Sequence, residues 1–211
     1  DTPTMAIRQM KESSLVKSLE LLHSDESVKA LVSIGSTGAV LAGAVMKVGR
    51  IKGVKRPAFC PICPTMNRSI VGVCDSGANV DCEPYYLQQF ALMGNLYMQK
   101  CYNIEKPRVA LLNIGTEEEK GDALRKETYQ LLKNTPSINF VGNIEARDIP
   151  KGEVDVIVCE AFVGNVILKT LEGVGGVIIN KVKKSMMTNL KTKIGALLIK
   201  KELKEAMKSF S

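Results

Sequence analysis

The sequence predicts an α/β fold built on a parallel sheet, and three observations support that prediction. Five short hydrophobic runs with the composition of buried strands recur along the 211 residues. Helical stretches alternate with these runs, and strand–loop–helix units in series favour parallel pairing with right-handed crossovers. Polar loops follow the runs at the points where an open α/β sheet places its ligand site. We therefore expect an enzyme or a ligand-binding protein.

The first part of the chain predicts helix, strand and helix in turn. Apolar residues recur on one stripe over residues 4–22, which is typical of a helix. A strand is expected at residues 30–34, and a small apolar helix at residues 39–48 follows it. Glycine and proline residues then predict a loop or irregular crossover over residues 49–64.

The rest of the chain repeats the strand–helix unit. Four more strands are predicted, at residues 69–74, 108–114, 138–141 and 154–159. Three more helices are predicted, at residues 85–99, 117–134 and 163–184. The first of these helices follows Pro84, and proline is well suited to a first helical turn. No internal repeat is visible.

Composition is that of an ordinary globular protein, with 45% hydrophobic and 24% charged residues. No run of about 18 apolar residues occurs, so we expect no membrane-spanning helix. The chain begins with Asp1 rather than methionine, and its first residues do not show the basic, apolar and small-residue pattern of a signal segment. We expect it to be a fragment that lacks its true beginning.

The positive charge is concentrated in one segment. The formal net charge is +7, and residues 181–211 contain nine lysines and two glutamates, whereas residues 1–180 are neutral overall. Such a patch favours an acidic protein, an anionic lipid surface or nucleic acid as a partner. Aromatic residues are only 5% of the chain and are not interleaved with the lysines, which disfavours nucleic acid.

Residues 173–211 have a different character from the rest. Two amphipathic helical stripes are joined by a basic, apolar segment at residues 185–198. The alternatives are a hairpin packed on the chain's own core or a dimerisation hairpin, and a tip that touches a membrane is compatible with both. The side chains predicted to contact the membrane are Met186, Met187, Leu190, Ile194, Leu197 and Leu198.

Six cysteines and one histidine offer little for metal or nucleophilic chemistry. Cys60 and Cys63 form a CxxC pair, but zinc needs two more ligands and His23 is distant in sequence. We expect reduced thiols that act as small buried hydrophobic residues, and no metal or cofactor. Because no Ser/His/Asp or Cys/His set can be assembled, catalysis would depend on positioning and charge stabilisation.

Three loops suit an anion. In the loop at residues 35–38, backbone N–H groups at a helix start favour phosphate, although simple helix capping is the alternative. Lys120 ends an acidic loop that is otherwise typical of a solvated charge run. Asn165 and Lys169 lie four residues apart on one helix face. The loop at residues 75–81 suits either magnesium or a self-bonded turn.

The motifs resemble those of the bacterial phosphate acyltransferase (PlsX) family of phospholipid synthesis, and they occur along the chain in the family's order. The matching segments are residues 6–14, 33–39, 75–81, 89–94, 112–117 with 120–121, 140–145 with 147–149, 154–158 and 162–166. Two ends typical of the family are missing. Ser36 replaces the usual asparagine, and Glu160 and Ala161 replace an aspartate–glycine pair.

The resemblance implies a three-layer α/β/α fold like that of isocitrate/isopropylmalate dehydrogenases, with a protruding amphipathic helical hairpin. Residues 1–172 would form the catalytic core, incomplete at both ends, and residues 173–211 the hairpin for dimerisation and membrane contact. The implied protein is a cytoplasmic homodimer at the anionic membrane surface. It would convert acyl-[acyl-carrier-protein] and inorganic phosphate to acyl phosphate, which passes to a membrane glycerol-3-phosphate acyltransferase.

On this basis three residues are assigned to catalysis around the phosphate: Lys120, Asn165 and Lys169. The other predicted substrate or phosphate contacts are Gly35, Ser36, Thr37, Gly38, Asp75, Asn79, Asp81, Gly115, Thr116, Glu117, Asn143, Glu145, Asp148 and Gly164. One alternative is a phosphotransacetylase or phosphotransbutyrylase that uses acyl-CoA. Another is a non-catalytic module that binds a phosphate ligand. A dehydrogenase is disfavoured because no GxGxxG motif follows a strand.

Overall fold

A five-stranded sheet forms the centre of the computed structural model, which describes residues 2–67 and 69–207. The strands are β1 (Ile62–Pro64), β2 (Ile70–Cys74), β3 (Arg108–Asn113), β4 (Asn139–Glu145) and β5 (Val156–Val158), in the spatial order β1-β2-β5-β3-β4. β2, β5, β3 and β4 are parallel, and β1 pairs antiparallel with β2. The predicted mixed α/β class is confirmed, and the carboxyl ends of four strands share one edge.

Helices precede, connect and follow the strands. They are α1 (Pro3–Gln9), α2 (Ser14–Ser24), α3 (Thr37–Gly43), α4 (Pro84–Tyr102), α5 (Ala123–Lys133), α6 (Ala161–Met186), α7 (Leu190–Leu198) and α8 (Lys200–Met207). A π-helical turn, Ala44–Val48, continues α3, and a 3₁₀ helix, Ala146–Lys151, connects β4 to β5. The helices predicted at residues 39–48, 85–99 and 163–184 are thereby confirmed.

The core lies on both faces of the sheet, because successive strand side chains point to opposite sides. On one face, α4 and α5 bury Phe90 and Leu132 against the strands. On the other face, the first turns of α6 and Ile149 of the 3₁₀ helix pack on the sheet. A Cβ atom at Gly94 of α4 would lie 2.7 Å from Val156, so this helix sits close to the strands. The packing places the start of α6 at the carboxyl edge.

The helix predicted over residues 4–22 is two helices, so that prediction was wrong. Ser13 interrupts it, and its Oγ accepts a hydrogen bond from the Val16 amide at 3.4 Å as the N-cap of α2. Helices α1, α2 and α3 form a small cluster around Ile7 and Leu19. A Cβ atom at Gly43 would lie only 2.4 Å from the Leu19 side chain.

The strand predicted at residues 30–34 was also wrong. These residues form no strand in the structure, and Val32 and Ile34 are 93% and 105% exposed. A hydrophobic run becomes a strand only when another strand satisfies its backbone groups. Across residues 2–67 and 69–207, no backbone partner forms a ladder with this segment.

Helix α5 begins at Ala123 rather than at the predicted residue 117, so that boundary was wrong. Gly121 adopts a φ of +92°, which L side chains rarely adopt, and turns the chain ahead of the helix. Asp122 then caps α5 by accepting a hydrogen bond from the Arg125 amide at 2.9 Å. The glutamates therefore lie in the loop before the helix.

Helix α6 is 26 residues long, with a mean hydropathy of 1.5 over its most apolar window, of which 6% is buried. Among the described residues it is the one helix that passes a length and composition test for crossing a membrane, contrary to our expectation. Its side chains Val163, Ile167 and Leu168 pack on the sheet. Farther along, Val177 and Ile178 are exposed. Residues 208–211 of the predicted 173–211 unit lie outside the described part of the chain.

Candidate active site

Asp75 holds together two loops at the carboxyl end of β2. Its Oδ1 accepts hydrogen bonds from the backbone amides of Phe59, Gly77 and Ala78 at 3.0, 3.1 and 3.2 Å. Its Oδ2 accepts two more at 2.8 Å, from the backbone and side-chain amides of Asn79. With five donors on a fully buried carboxylate, little acceptor capacity is left for a ligand. Asp75 and Asn79 therefore shape the site from behind.

The start of α6 rests directly on this loop. A Cβ atom at Gly164 would lie 2.1 Å from the Asp75 carbonyl oxygen and 2.9 Å from Ser76 Cα. Only glycine allows so close an approach. The contact brings Asn165 and Lys169, on the next turns of α6, beside the 75–81 loop.

A cavity of about 430 Å³ opens where these segments meet. Its lining residues are Thr37, Phe59, Cys60, Pro61, Ser76, Asn165, Leu168, Lys169 and Glu172. The cavity therefore collects Thr37, Asn165 and Lys169, three of the predicted site residues. Lys169 Nζ lies 2.8 Å from Glu172 Oε2, and both side chains are largely exposed. The site thus presents hydroxyl, amide and ammonium groups, which are suitable donors for an anion.

Lys120 lies elsewhere along the same edge and does not line this cavity. It is exposed in the loop after β3, where its carbonyl accepts a hydrogen bond from Asn113 Nδ2 at 3.0 Å. Asn143, from β4, donates to the Glu117 carbonyl at 2.7 Å, which ties this loop to the neighbouring strand. Buried Gly115 and exposed Thr116 belong to the same loop. These predicted residues form a second group.

The remaining predicted contacts have local partners or are exposed. Glu145 pairs with Arg147 at 2.5 Å, and Asp148 pairs with Lys151 at 2.6 Å. The hydrogen bond to Asp148 raises the pKa of Lys151. Ser36 caps α3 through the Ala39 amide at 3.3 Å, between exposed Gly35 and half-buried Gly38. Asp81 is exposed on the loop after β2.

Sequence reasoning missed an ion-pair cluster at the same edge. Glu160, at the N-cap of α6, is only 8% exposed. The Arg125 guanidinium donates to Glu160 Oε2 and, at 2.8 Å, to Asp122 Oδ2. A carboxylate buried at a strand end requires hydrogen-bond donors or a cationic partner, so Glu160 was the available signal. The cluster joins α5 to the β5–α6 loop.

Sequence reasoning also missed the wall formed by Phe59, Cys60 and Pro61. It belongs to the crossover that was predicted to be irregular. The Phe59 amide is bound by Asp75, and β1 pairs with β2. Both contacts are between segments distant in sequence, so no local pattern indicated them. Within the described ranges, no group of three or more potential metal-ligating side chains comes together.

Comparisons with other sequences cover the full chain. The profile of the family described as Fatty acid synthesis protein matches residues 1–211. The phosphate acyltransferase of Thermoanaerobacterium thermosaccharolyticum is 49% identical over 208 residues, which cover 99% of this chain and 62% of that protein. The phosphate acyltransferase of Clostridium tetani is 49% identical over 211 residues, which cover 100% and 62%. The chain thus spans 62% of the length of these relatives.

Two solved structures are similar in fold. A phosphotransacetylase from Streptococcus pyogenes has a TM-score of 0.60 and 16% identity, and the match covers 82% of this chain and 62% of that one. A branched-chain phosphotransacylase from Enterococcus faecalis has a TM-score of 0.53 and 14% identity, with 74% and 62% covered. At these identities the likeness establishes the fold alone.

Proposed function

The chain belongs to the fatty acid synthesis protein family, and from that premise we propose that the protein is a phosphate acyltransferase of phospholipid biosynthesis. Acyl-[acyl-carrier-protein] and inorganic phosphate would give acyl phosphate and the free carrier protein. The observation that carries this proposal is the meeting of Thr37, Asn165 and Lys169 around one cavity, in a chain 49% identical to phosphate acyltransferases.

The proposed chemistry needs no protein nucleophile. A phosphate oxygen attacks the thioester carbonyl carbon, and the carbonyl oxygen becomes the oxyanion of a tetrahedral intermediate. The carbon–sulfur bond then breaks, the carbonyl re-forms, and the carrier leaves as a thiolate. The protein must hold an anionic nucleophile and stabilise the oxyanion.

The residues are assigned as follows. Lys169 and Asn165 bind the phosphate, since the ammonium group and the amide line the same cavity. Thr37 and Ser76 supply hydroxyl donors to the same cavity. Lys120, on the neighbouring loop of the same sheet edge, provides positive charge from outside this cavity.

We extend the proposal to architecture. Residues 1–172 would be the catalytic core of a three-layer α/β/α fold of the isocitrate/isopropylmalate dehydrogenase type. Residues 173–211 would form the amphipathic helical hairpin for dimerisation and membrane contact. Support comes from helical packing on both sheet faces and from the exposed apolar side chains of α6 and α7.

The proposed partners follow from charge and chemistry. Acyl carrier protein is acidic and suits the lysines of residues 181–211, as does an anionic membrane surface. The protein would work as a homodimer in the cytoplasm, at the membrane face. A membrane glycerol-3-phosphate acyltransferase would accept the acyl phosphate.

The test measures phosphate-dependent release of the carrier thiol from acyl-[acyl-carrier-protein]. Lys169→Ala is expected to lower turnover about 100-fold, the order seen when one charge-stabilising donor is removed. Lys120→Ala should also lower it, whereas Lys126→Ala, an exposed lysine of α5, is the control for charge loss. Near-normal turnover and phosphate affinity in both Lys169→Ala and Lys120→Ala would show that the placement is wrong.

The same assay separates the alternatives. Cleavage of acyl-CoA but not of the acyl-carrier thioester would indicate a phosphotransacetylase or phosphotransbutyrylase. Phosphate binding by calorimetry without turnover of either thioester would indicate a non-catalytic phosphate-binding module.

A further inference from the structure

Two cysteines face each other across the antiparallel pair of strands. The register of β1 and β2 pairs Ile62 with Gly72, and its continuation by two residues places Cys60 opposite Cys74. The Val73 amide donates to the Pro61 carbonyl at 3.0 Å, so the pairing extends beyond the end of β1. We propose that Cys60 and Cys74 are a dithiol that is oxidised reversibly to a disulfide.

The backbone geometry suits that bond. Pro61 and Val73 form a hydrogen-bonded position, and the next pair is therefore of the non-hydrogen-bonded kind, with Cα atoms about 4.5 Å apart. Disulfides span Cα separations of about 4.4–6.8 Å, so no large backbone movement is needed.

The two sulfur atoms also share one space. Cys60 and Cys74 pack in the same hydrophobic cluster beneath α4. Cys60 Sγ would lie only 2.9 Å from a Cβ atom at Gly72, so the missing side chain of Gly72 leaves room for this sulfur. A hydrogen bond from the Cys74 thiol lowers the pKa of Cys60, and the same contact with burial raises the pKa of Cys74. Cys60 is therefore the more reactive thiol.

Cys60 is more accessible than Cys74, and the proposed oxidation requires that order of access. Cys60 is half-buried and lines both the cavity described above and a neighbouring cavity of about 340 Å³ under α4. Cys74 is 1% exposed and lines only the second cavity. A small oxidant thus reaches Cys60 first, and Cys74 is positioned to resolve the product.

The other cysteines have different surroundings. Cys63, despite its CxxC spacing from Cys60, lies opposite Val71 and packs on the other face of the sheet. The Cys159 thiol donates to the Asp75 carbonyl at 3.3 Å, and the Cys82 thiol donates to the Asn79 carbonyl at 3.4 Å. The geometry therefore singles out one pair.

The oxidant is a peroxide, here hydrogen peroxide. The Cys60 thiolate attacks one peroxide oxygen, the O–O bond breaks, and a sulfenic acid and hydroxide form. The Cys74 sulfur then attacks the sulfenic sulfur, the S–S bond forms, and the sulfenic hydroxyl leaves as water. Two thiols lose two electrons and two protons, and the peroxide becomes two waters. A dithiol reductant reverses the change by thiol–disulfide exchange.

The experiment is a peptide map of the whole chain after exposure to hydrogen peroxide and alkylation. We expect a peptide that joins Cys60 to Cys74, the loss of two of the six thiols, and full recovery with dithiothreitol. Cys63→Ser is the matched control within the same CxxC and should leave the joined peptide unchanged. Cys60→Ser should abolish it.

The map of the unmodified protein decides the question even where a variant fails to fold. A joined peptide that contains Cys63, dimers linked only through exposed Cys101, or irreversible oxidation of Cys60 without a joined peptide would each overturn the proposal. Retention of all six thiols would do so as well. None of these measurements depends on acyltransferase activity.

Discussion

At the scale of single residues, two glycines of α6 have opposite effects on stability. Gly164 seats α6 on the loop after β2, where a Cβ atom would lie 2.1 Å from the Asp75 carbonyl oxygen. Gly173, farther along α6, has no heavy atom within 4 Å of its Cβ position apart from its chain neighbours and the adjacent backbone of its own helix. The first glycine is required by contact, and the second only costs helix stability.

Replacement of each glycine by alanine tests this difference. Gly164→Ala should lower the free energy of unfolding by about 1–3 kcal/mol, because the backbone at Asp75 and Ser76 must move. Gly173→Ala should raise it by about 0.5–1 kcal/mol. Urea denaturation measures both. A change of the same sign in the two variants would contradict the packing described here.

Asp155, the residue before β5, binds Arg108, the first residue of β3. Its Oδ2 accepts from the Arg108 amide at 2.7 Å and from Arg108 Nε at 3.0 Å, and its Oδ1 accepts from Nη2 at 2.9 Å. Burial alone would raise the pKa of Asp155, but the hydrogen bonds and charge of Arg108 outweigh it and lower that pKa. The ionised form is therefore the one that stabilises the fold.

This linkage has a definite direction with pH. Because the pKa of Asp155 is lowered on folding, its contribution is complete above the unfolded pKa of about 3.9 and is lost as pH falls through the folded value. Asp155→Asn should cost about 1–2 kcal/mol at pH 7, and less as the pH falls below about 4. Unfolding titrations from pH 7 to pH 2.5 measure the difference, with exposed Asp81→Asn as control. A cost independent of pH would exclude this role.

At the scale of elements, periodicity predicted the elements whose contacts are regular, such as α4, β3 and α6. It failed where distant segments decide the outcome. Residues 30–34 have the composition of β3 but no ladder partner in the described part of the chain. Conversely, β1 contains Pro64 and follows Pro61, yet it pairs as an edge strand, the one position in a sheet that tolerates proline.

Helix α7 presents apolar side chains to solvent in the segment proposed to touch a membrane. Leu190, Leu197 and Leu198 are 74%, 69% and 77% exposed. Met187 and Ile194 are also exposed, and Met186 is half-buried. Lys191 and Lys193 lie on the same helix and suit anionic headgroups, at about 1 kcal/mol for each lysine.

Leu197→Glu should therefore weaken co-sedimentation with vesicles that contain anionic lipid. The expected loss is at least about tenfold, since a buried leucine contributes about 1.5–3 kcal/mol and about 1.4 kcal/mol is a factor of ten. Ser185→Glu adds the same charge without removing an apolar contact and should have the smaller effect. Binding that is unaffected by Leu197→Glu or by high salt would rule out docking through this segment.

At the scale of the whole molecule, α6 carries an exposed apolar stripe, which consists of Val174, Val177, Ile178 and Val182. A helix that is apolar on an uncovered face usually packs against another surface. In the proposed homodimer, a second copy of the chain would cover this stripe.

Ile178→Glu should convert the dimer to a monomer of 23.0 kDa, because it places a charge in the proposed interface. Gly176→Glu introduces the same charge on the side of α6 away from the stripe, where a Cβ atom would meet nothing within 4 Å, and should leave the dimer intact. Size-exclusion chromatography with light scattering gives both masses. An unmodified chain that is monomeric at high micromolar concentration would contradict the proposal.

The candidate site was predictable only in part. Strand-end loops indicated Thr37, Asn165 and Lys169, because anion-binding chemistry has a local signature at helix starts. The wall at residues 59–61 has no such signature, since a buried carboxylate and an antiparallel pairing bring it to the site. Lys120 lies at the same edge of the sheet, but it does not line this cavity.

The five hydrogen bonds on Asp75 have a mechanical consequence for that cavity. These hydrogen bonds join Phe59 to the 75–81 loop, and the close contact at Gly164 joins α6 to the same loop. Three sides of the cavity therefore form one rigid unit. Thr37 belongs instead to α3, whose neighbours Ile7 and Leu19 lie in the N-terminal helices. If the cavity opens further to admit a larger ligand, we therefore expect α1, α2 and α3 to move together while the sheet stays in place.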